Sequence, residues 1–133
     1  MSDCIFCKIV AGEIPSFKIY ENQDYLAFLD IFPFSWGHTL VIPKKHYPWV
    51  WEVKNIGEYF QVCQKIAQHY QKTLNQKLVI SHVYGEDIPH AHIHLIPNVK
   101  NYMGKLNERL GDLRQSQLQP EQAKKILEKL RLS

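Results

Sequence analysis

Residues 90–97 read His90-Ala91-His92-Ile93-His94-Leu95-Ile96-Pro97, so three histidines alternate with small or apolar residues. Strict alternation is typical of a β-strand, because successive side chains of a strand point to opposite faces. A strand advances about 3.3 Å per residue, so the three imidazoles would form a row of roughly 13 Å on one face. The other face is apolar enough to pack on a core. Proline has no N–H to donate, and Pro97 is therefore expected to end the strand.

A single histidine is most often a polar residue at the edge of a core, and that interpretation must be weighed first. Three imidazoles on one face are different, since each ring has a donor and an acceptor that need partners. Neighbouring rings also disfavour one another's protonation. Because such a row costs stability when its polar atoms are left unpaired, the pattern favours a functional surface.

Length and composition indicate a globular protein with a single domain, residues 1–133. Hydrophobic residues make up 45% of the chain and charged residues 22%, which are ordinary globular values. The net charge is only +3 and the basic residues are scattered, so a nucleic-acid polymer is a poor candidate partner. No apolar run approaches the roughly 20 residues of a membrane helix, and the amino terminus lacks the basic region followed by an apolar segment that is typical of a signal peptide. We expect a cytoplasmic protein with no membrane partner.

The chain has three cysteines, an odd number that argues against a disulfide framework. Cys4 and Cys7 form a C-x-x-C motif, whereas Cys63 stands alone in a predicted helix and is expected to be a small buried residue. A thioredoxin-type redox motif follows a strand, and too few residues precede Cys4 to form one. The pair is therefore interpreted as half of a metal site that needs two further ligands.

Periodicity and turn residues predict five strands and three helices. The strands are expected over residues 17–21, 25–29, 38–43, 77–84 and the histidine stretch, and the helices over 5–11, after Asn55, and over about 120–131. Short connections favour antiparallel neighbours. The predicted fold is α+β, with helices packed on a five-stranded antiparallel sheet.

Three segments of this pattern carry more specific expectations. Asn55 is the predicted N-cap of the long helix, with Glu58 three residues on, and His69 lies off its apolar stripe and is expected to face solvent. The apolar stripes of the two longer helices are Tyr59, Cys63, Ile66, Tyr70 and Leu74, and then Ala123, Ile126, Leu127 and Leu130. The aromatic loop 32–37 is expected to form either a lid over the core or one wall of a pocket.

These residues together resemble the histidine triad family of nucleotide-binding hydrolases and transferases, whose signature is His-x-His-x-His followed by two apolar residues. The similarity covers about three quarters of the chain in the right order. It runs through residues 4–9, 12–15, 27–30 and 37–46 to the triad. The chain is most similar to the zinc-bearing, bacterial-type branch of the nucleoside phosphoramidase-like proteins.

The resemblance implies that His92 is the nucleophile that attacks the α-phosphorus of a purine nucleotide such as an adenosine phosphoramidate. A neutral imidazole with a pKa near 6.5 is nucleophilic around pH 7 and forms a phosphoramidate that water can cleave. One ring nitrogen must then be bare, and the other must donate to a fixed acceptor, which in the family is a backbone carbonyl of the triad strand. His94 and His38 would bind phosphate oxygens and help the leaving group depart.

The resemblance also implies a nucleoside pocket. Asp30 matches the family's ribose-binding acid, although aspartate is also common as a turn residue after a strand. The positions that match the base-binding residues are apolar, and core packing could explain some of them equally well. They are Ile5, Phe6, Ile9, Ile14, Phe28 and Ile31.

Four further residues match the zinc ligands of the metal-bearing family members and of the related galactose-phosphate uridylyltransferases: Cys4, Cys7, His46 and His90. Two thiolates and two imidazoles fill a tetrahedral shell, so this zinc would be structural. The resemblance further implies a homodimer in which two sheets join, and the exposed edge of a five-stranded sheet provides a physical motive for it.

The chain departs from the family just before the triad. The segment Tyr84-Gly85-Glu86-Asp87-Ile88-Pro89 is short, two carboxylates replace a neutral Gln-Ser pair, and Ser81-His82 lie near an expected asparagine. Carboxylates beside a phosphate would repel it unless they face away or bind an amine. The leading hypothesis is thus a nucleotide hydrolase of the phosphoramidase or dinucleoside polyphosphate type. A nucleotide-binding module with little turnover, and a hydrolase with an open zinc site made of the histidines, are the alternatives.

Overall fold

The structure, a computed structural model, describes residues 3–83, 85, 87–98 and 116–132 and contains five strands. They are β1 (Lys18–Glu21), β2 (Tyr25–Leu29), β3 (Thr39–Pro43), β4 (Ile80–Val83) and β5 (Ile93–Ile96). All neighbours are antiparallel, in the order β1-β2-β3-β5-β4. This arrangement confirms the predicted sheet and puts the histidine strand next to its centre.

The helices lie on both faces of the sheet. They are α1 (Ile5–Val10), α2 (Ile56–Leu74) and α3 (Pro120–Leu130), with a 3₁₀ turn at Val50–Glu52. α2 and α3 pack on one face against residues such as Leu29, Val41 and Ile93. α1 covers part of the other face. The α+β class is therefore confirmed, and no described helix combines the length and apolar character that crossing a bilayer requires.

The strands β2 and β3 are buried on both faces, which explains why their sequences are nearly continuous apolar runs. Along β2, Ala27 and Leu29 belong to the larger core under α2 and α3. Leu26 and Phe28 point the other way and pack with Phe6 of α1. The second cluster is small, and it lies beside the histidines rather than beneath a long helix.

The strand that carries the triad begins later than predicted. β5 starts at Ile93, and His90 and Ala91 lie outside the ladder. Their amides find other acceptors, because the His90 N–H donates to the Ile88 carbonyl at 2.8 Å and the Ala91 N–H to the Tyr47 carbonyl at 2.7 Å. The three imidazoles therefore do not form one straight row. The predicted stop before Pro97 is confirmed, since β5 ends at Ile96.

Three smaller expectations need correction. β4 begins at Ile80 rather than at Lys77, and its predicted end, Tyr84, lies outside the described residues. Asn55 is the N-cap of α2 but makes no side-chain capping bond, because its ψ of 55° is not the extended conformation that turns a cap side chain toward the helix amides. His69 is half-buried rather than solvated, and its Nε2 has no hydrogen-bond partner within the described part of the chain.

Candidate active site and metal centre

Cys4, Cys7, His46 and His90 converge at the amino-terminal end of α1, as the zinc expectation requires. The Cys4 Sγ and Cys7 Sγ atoms lie 3.3 and 3.5 Å from His90 Nδ1, and Cys7 Sγ is 3.3 Å from His46 Nδ1. The two Nδ1 atoms are 3.2 Å apart. A tetrahedral zinc ion with bonds of about 2.3 Å to sulfur and 2.0 Å to nitrogen needs about 3.5 Å between a sulfur and a nitrogen ligand and about 3.3 Å between two nitrogen ligands. The four donor atoms thus fit zinc.

The hydrogen bond behind His90 supports the same interpretation. His90 is fully buried, and its Nε2 lies 2.8 Å from the Pro43 carbonyl oxygen, which can only accept. Nε2 must therefore carry the proton, and Nδ1, which faces the cysteines, is left with a free lone pair. A metal-bound histidine commonly has such a carbonyl behind it, because the bond fixes the tautomer and the ring orientation.

His92 is held with one nitrogen bare. Its Nδ1 lies 2.8 Å from the backbone oxygen of His90 and donates to it, so the proton of the neutral ring is on Nδ1 and Nε2 carries the lone pair. The side chain is buried, and Phe6 packs edge-on against the ring with centroids 5.2 Å apart. The family resemblance implied a carbonyl acceptor within the triad strand, and the structure has one just before that strand begins.

His38 and His94 form a directed chain of hydrogen bonds. The Phe34 backbone N–H donates to His38 Nδ1 at 2.8 Å, so the proton of His38 is on Nε2. His38 Nε2 lies 2.8 Å from His94 Nδ1 and donates to it. The proton of His94 is consequently on Nε2, where it is available to a bound molecule. A backbone amide of the aromatic loop thereby sets the tautomers of two histidines, and no residue pattern predicted this amide's role.

Asp30 completes this group without making it a metal centre. Asp30, His38 and His94 lie close enough together to suggest a metal ion. A metal at His38 Nε2 would move the ring proton to Nδ1, where it would face the Phe34 N–H, and two donors cannot bond to each other. The group is better described as a hydrogen-bonded relay beside a carboxylate.

The Asp30 carboxylate has two roles at once. Its Oδ1 accepts the Phe32 N–H at 2.8 Å, which is the turn that the composition suggested. Its Oδ2 lies 3.5 Å from His38 Nε2 and 4.0 Å from His94 Nδ1. The two interpretations of Asp30 are therefore compatible, since a carboxylate fixed by a turn is also a well-positioned acceptor.

The apolar positions divide between core and surface. Phe6, Ile9 and Phe28 are buried in the small cluster under α1, and Ile14 packs at its border. Ile5 and Ile31 are 44% and 42% exposed, which leaves them free to contact a ligand. Core packing accounts for the first group, so the surface pair carries the stronger indication of a base-binding role.

The aromatic loop forms a pocket wall rather than a lid over the core. Pro33, Ser35 and Trp36 border a cavity of about 220 Å³ together with Asp30 and residues of α3. Trp36 remains 41% exposed. Ser35 Oγ donates to the Pro97 carbonyl at 2.5 Å, and this bond ties the loop to the end of β5. The loop thus positions Phe34 against His38.

One residue of the site was not predicted. His82 of β4 lies directly opposite His94 in the sheet, and the two rings meet with centroids 5.6 Å apart. Alternation along β4 could have put His82 on the triad face. Its partner could not be predicted, because the register depends on a turn whose path the sequence does not specify.

Desolvation favours the neutral form of His92 and His94. The pKa of His94 falls to about 2 because the ring is desolvated, and the nearby His38, His92 and His82 add to the effect. The pKa of His92 is lowered mainly by burial, partly offset by its bond to the His90 carbonyl and by the charge of Asp87. Asp87 is exposed, and Glu86 lies outside the described residues. Neutral imidazoles are the form that a nucleophile and a hydrogen-bond relay require.

Comparisons with known proteins agree with this geometry. Residues 11–101 match the HIT domain family. The chain is 40% identical over 113 residues to a HIT-like protein of Borreliella burgdorferi, covering 76% of this chain and 79% of the relative. It is 43% identical over 105 residues to Protein hit of Bacillus subtilis, covering 71% and 70%. It is 38% identical over 104 residues to adenylylsulfatase HINT3 of Arabidopsis thaliana, covering 72% and 52%.

Solved structures are similar over most of the chain. A Hit-like protein of Bartonella henselae superposes with a TM-score of 0.80 at 28% identity, covering 98% of this chain and 96% of that one. A zinc-bound histidine triad family protein of Mycobacterium smegmatis has a TM-score of 0.72 at 28% identity, covering 97% and 94%. A HIT family hydrolase of Legionella pneumophila has a TM-score of 0.62 at 31% identity, covering 74% and 95%.

Proposed function

The chain belongs to the HIT domain family, and from this premise we propose that it hydrolyses or transfers nucleotides at the α-phosphate. The proposed substrate is a purine nucleoside phosphoramidate or a related nucleotide, and the proposed intermediate is a nucleotidyl group on His92. The observation that carries this proposal is the bond from His92 Nδ1 to the His90 carbonyl, because it leaves Nε2 bare in a buried ring.

The first chemical step forms a bond between His92 Nε2 and the α-phosphorus and breaks the bond from phosphorus to the leaving group. The leaving group takes the electron pair, and an amine also needs a proton. His94 Nε2–H is the donor on that face, and His38 Nε2–H supports it from behind at 2.8 Å. In the second step water attacks phosphorus and gives a proton to the His94–His38 relay, which replaces the proton that the amine took. The P–N bond to His92 breaks, and its electrons return to Nε2.

The nucleoside is proposed to bind beside the small apolar cluster. Asp30 would accept hydrogen bonds from the two ribose hydroxyls, and Ile5 and Ile31 would contact a purine base from the surface. The buried Phe6, Ile9 and Phe28 would support that surface from below. The name of the Arabidopsis relative, an adenylylsulfatase, and that of the Legionella hydrolase support nucleotide hydrolysis in general.

The Cys4, Cys7, His46 and His90 group is proposed to hold a structural zinc ion. Its donor separations and the carbonyl behind His90 support this role, as does the zinc-bound Mycobacterium relative. A filled shell of four protein ligands leaves no position for water, so zinc would supply rigidity rather than chemistry. This arrangement argues against an open zinc site made of the triad histidines.

The active form is proposed to be a homodimer in which two sheets join. β1 and β4 are the sheet's edges, and an unpaired edge presents free backbone donors and acceptors. Light scattering at micromolar concentration is expected to give twice the mass of 15.7 kDa. A monomer at that concentration would eliminate this part of the proposal.

Intact-protein mass spectrometry after brief mixing with adenosine 5′-phosphoramidate tests the chemistry. The unmodified protein should gain one acid-labile adenylyl group or release adenosine monophosphate steadily, and His92→Ala should do neither. His94→Ala tests the relay and should slow release of the amine by about 100-fold or more. Turnover by His92→Ala at the unmodified rate would refute the covalent mechanism.

A second candidate function is a nucleotide-binding module with little turnover. The observation that favours it is Asp87, whose carboxylate is close enough to influence His92 and replaces a neutral residue expected near the phosphate. Under this alternative, adenosine monophosphate binds, but neither adduct nor product forms. Asp87→Asn should then restore measurable turnover.

A further inference from the structure

His82 extends the histidine cluster by one strand beyond the predicted triad. In the strand order β3, β5, β4 the rings of His38, His94 and His82 follow one another, with centroids 5.1 and 5.6 Å apart. His82 pairs directly with His94 in the antiparallel ladder, so the two side chains share a face. The His82 side chain is half-buried, and it borders the site rather than the core.

The order of the strands indicates which way a bound nucleotide would lie across the site. The proposed nucleoside contacts, Asp30 and Phe28, lie at or just after the end of β2, on the far side of His38. The proposed reacting atom lies at His92, whose ring is 5.3 Å from that of His94. Beyond His94 the next strand is β4. With the nucleoside and the phosphorus in these proposed positions, the group attached to the α-phosphorus away from the nucleoside would lie on the β4 side, next to His82.

The groups on the His82 side of the site favour an oxyanion over an amine as the leaving group. An imidazole presents an N–H donor, and its cation attracts negative charge and repels an ammonium group. Asp87 is the described carboxylate on this side, but it is exposed, and water and salt weaken its charge. His82 is half-buried, so a hydrogen bond from it to an oxygen is less screened.

We infer that His82 contacts the leaving group and makes the site selective for leaving groups with acidic oxygens, such as sulfate or phosphate. This inference rests on the proposed function. When the bond from phosphorus to such an oxygen breaks, the electron pair stays on the oxygen and no proton is required. The N–H of His82 would stabilise that developing charge, whereas an amine leaving group develops none and depends on the proton relay through His94.

The test compares two substrates that differ only in the leaving group, adenosine 5′-phosphosulfate and adenosine 5′-phosphoramidate. Loss of one hydrogen bond to a charged oxygen should lower kcat/KM for the phosphosulfate by about tenfold or more in His82→Ala. The same variant should change kcat/KM for the phosphoramidate by less than about threefold, since no such bond is lost. His82→Gln keeps an N–H donor and should recover part of the activity on the phosphosulfate.

Ser81→Ala is the matched control, because Ser81 is the exposed neighbour on the opposite face of the same strand. Equal losses on both substrates in His82→Ala and His82→Gln would overturn the inference and indicate a structural role. A protein that cleaves the phosphoramidate but not the phosphosulfate would overturn this inference alone. A protein inactive on both substrates would overturn the proposed function with it.

Discussion

At the scale of single residues, proton positions matter more than the number of histidines. His92 is buried just before β5 and His94 is half-buried on it, yet His92 has a bare Nε2 and His94 a protonated one. A backbone carbonyl behind the first ring and a donated N–H behind the second cause the difference. The same residue type can therefore act as nucleophile and as donor within one site.

The desolvated ring of His94 should make the protein sensitive to acid. Its pKa is about 2 when folded, whereas an unfolded histidine titrates near 6.5, so below pH 6.5 the unfolded chain binds a proton that the folded one refuses. The contribution to stability is complete above pH 6.5 and falls progressively toward pH 2. Between pH 7 and 5.5 we expect His94 to account for a loss of about 1 kcal/mol in the free energy of unfolding.

Urea unfolding of the unmodified protein and of His94→Asn at pH 7 and 5.5 measures how much of the loss in the free energy of unfolding is due to His94. The variant should lose less stability between pH 7 and 5.5 than the unmodified protein does, and Ser81→Ala should lose the same amount. Titrating groups that do not interact with His94 contribute equally to both proteins and cancel in the comparison. An identical loss in His94→Asn would show that the ring is not desolvated as described.

At the scale of secondary-structure elements, regular hydrogen bonding determines how much the sequence could predict. β2 and β3 were predicted almost to the residue, because two-sided burial requires continuous apolar residues. The triad strand was predicted to start at His90, but the N–H groups of His90 and Ala91 donate to the carbonyls of Ile88 and Tyr47, outside the sheet. Alternation of side chains indicates which residues can form a strand. It does not indicate with which groups their backbone N–H and C=O form hydrogen bonds.

The same limit applies to the site. The triad was predicted from its alternation and the four proposed zinc ligands from the family resemblance, and the structure brings Cys4, Cys7, His46 and His90 together. The amide of Phe34 and the imidazole of His82 were not identified. A backbone donor leaves no trace in residue identity, and His82 joins the site through strand register, which depends on a turn.

Gly37 lies immediately before His38 and packs closely against α3 and against the residue that follows β5. Its φ is +91°, and a Cβ there would lie 3.0 Å from Leu130 Cδ1 of α3 and 3.1 Å from Pro97 Cγ after β5. Gly37→Ala should therefore cost backbone strain and a displaced contact, about 2–4 kcal/mol in the free energy of unfolding. The substitution should also slow turnover, because it shifts the loop that carries Phe34.

Gly12→Ala is the matched control for Gly37→Ala. Gly12 has a similar φ of +80°, but nothing lies within 4 Å of a Cβ built there. It should cost only the strain, about 1 kcal/mol, and leave turnover unchanged. Thermal and urea unfolding of both variants provide the comparison. If the two substitutions cost the same, the packing of Gly37 against α3 is not significant.

At the scale of the whole molecule, the proposed zinc ion joins segments that are far apart in the chain. Its ligands come from α1 and its cap, from the loop after β3 and from the residue two before His92. α1 has only six residues and is marginal alone, so its packing on Phe28 and Leu40 needs support. Zinc bound to the folded state only would supply that support and hold the His90 carbonyl behind His92.

Removing either thiolate should release zinc and loosen this connection. Cys4→Ser and Cys7→Ser are expected to lose the metal and about 3 kcal/mol or more of stability, as binding to the folded state alone implies at saturating zinc. Metal analysis measures the first effect, and unfolding with and without a chelator measures the second. The chelator should lower the Tm of the unmodified protein but not that of the variants.

Cys63→Ala provides the control, because Cys63 is a buried thiol within α2 whose pKa is raised to about 12 by desolvation, which makes it a poor metal ligand. This variant should keep its zinc and its sensitivity to the chelator while losing some packing energy. Zinc that stays bound after both amino-terminal cysteines are replaced must be held by the histidines. That result would contradict the closed structural site and favour the open zinc hydrolase, since three imidazoles leave a position for water.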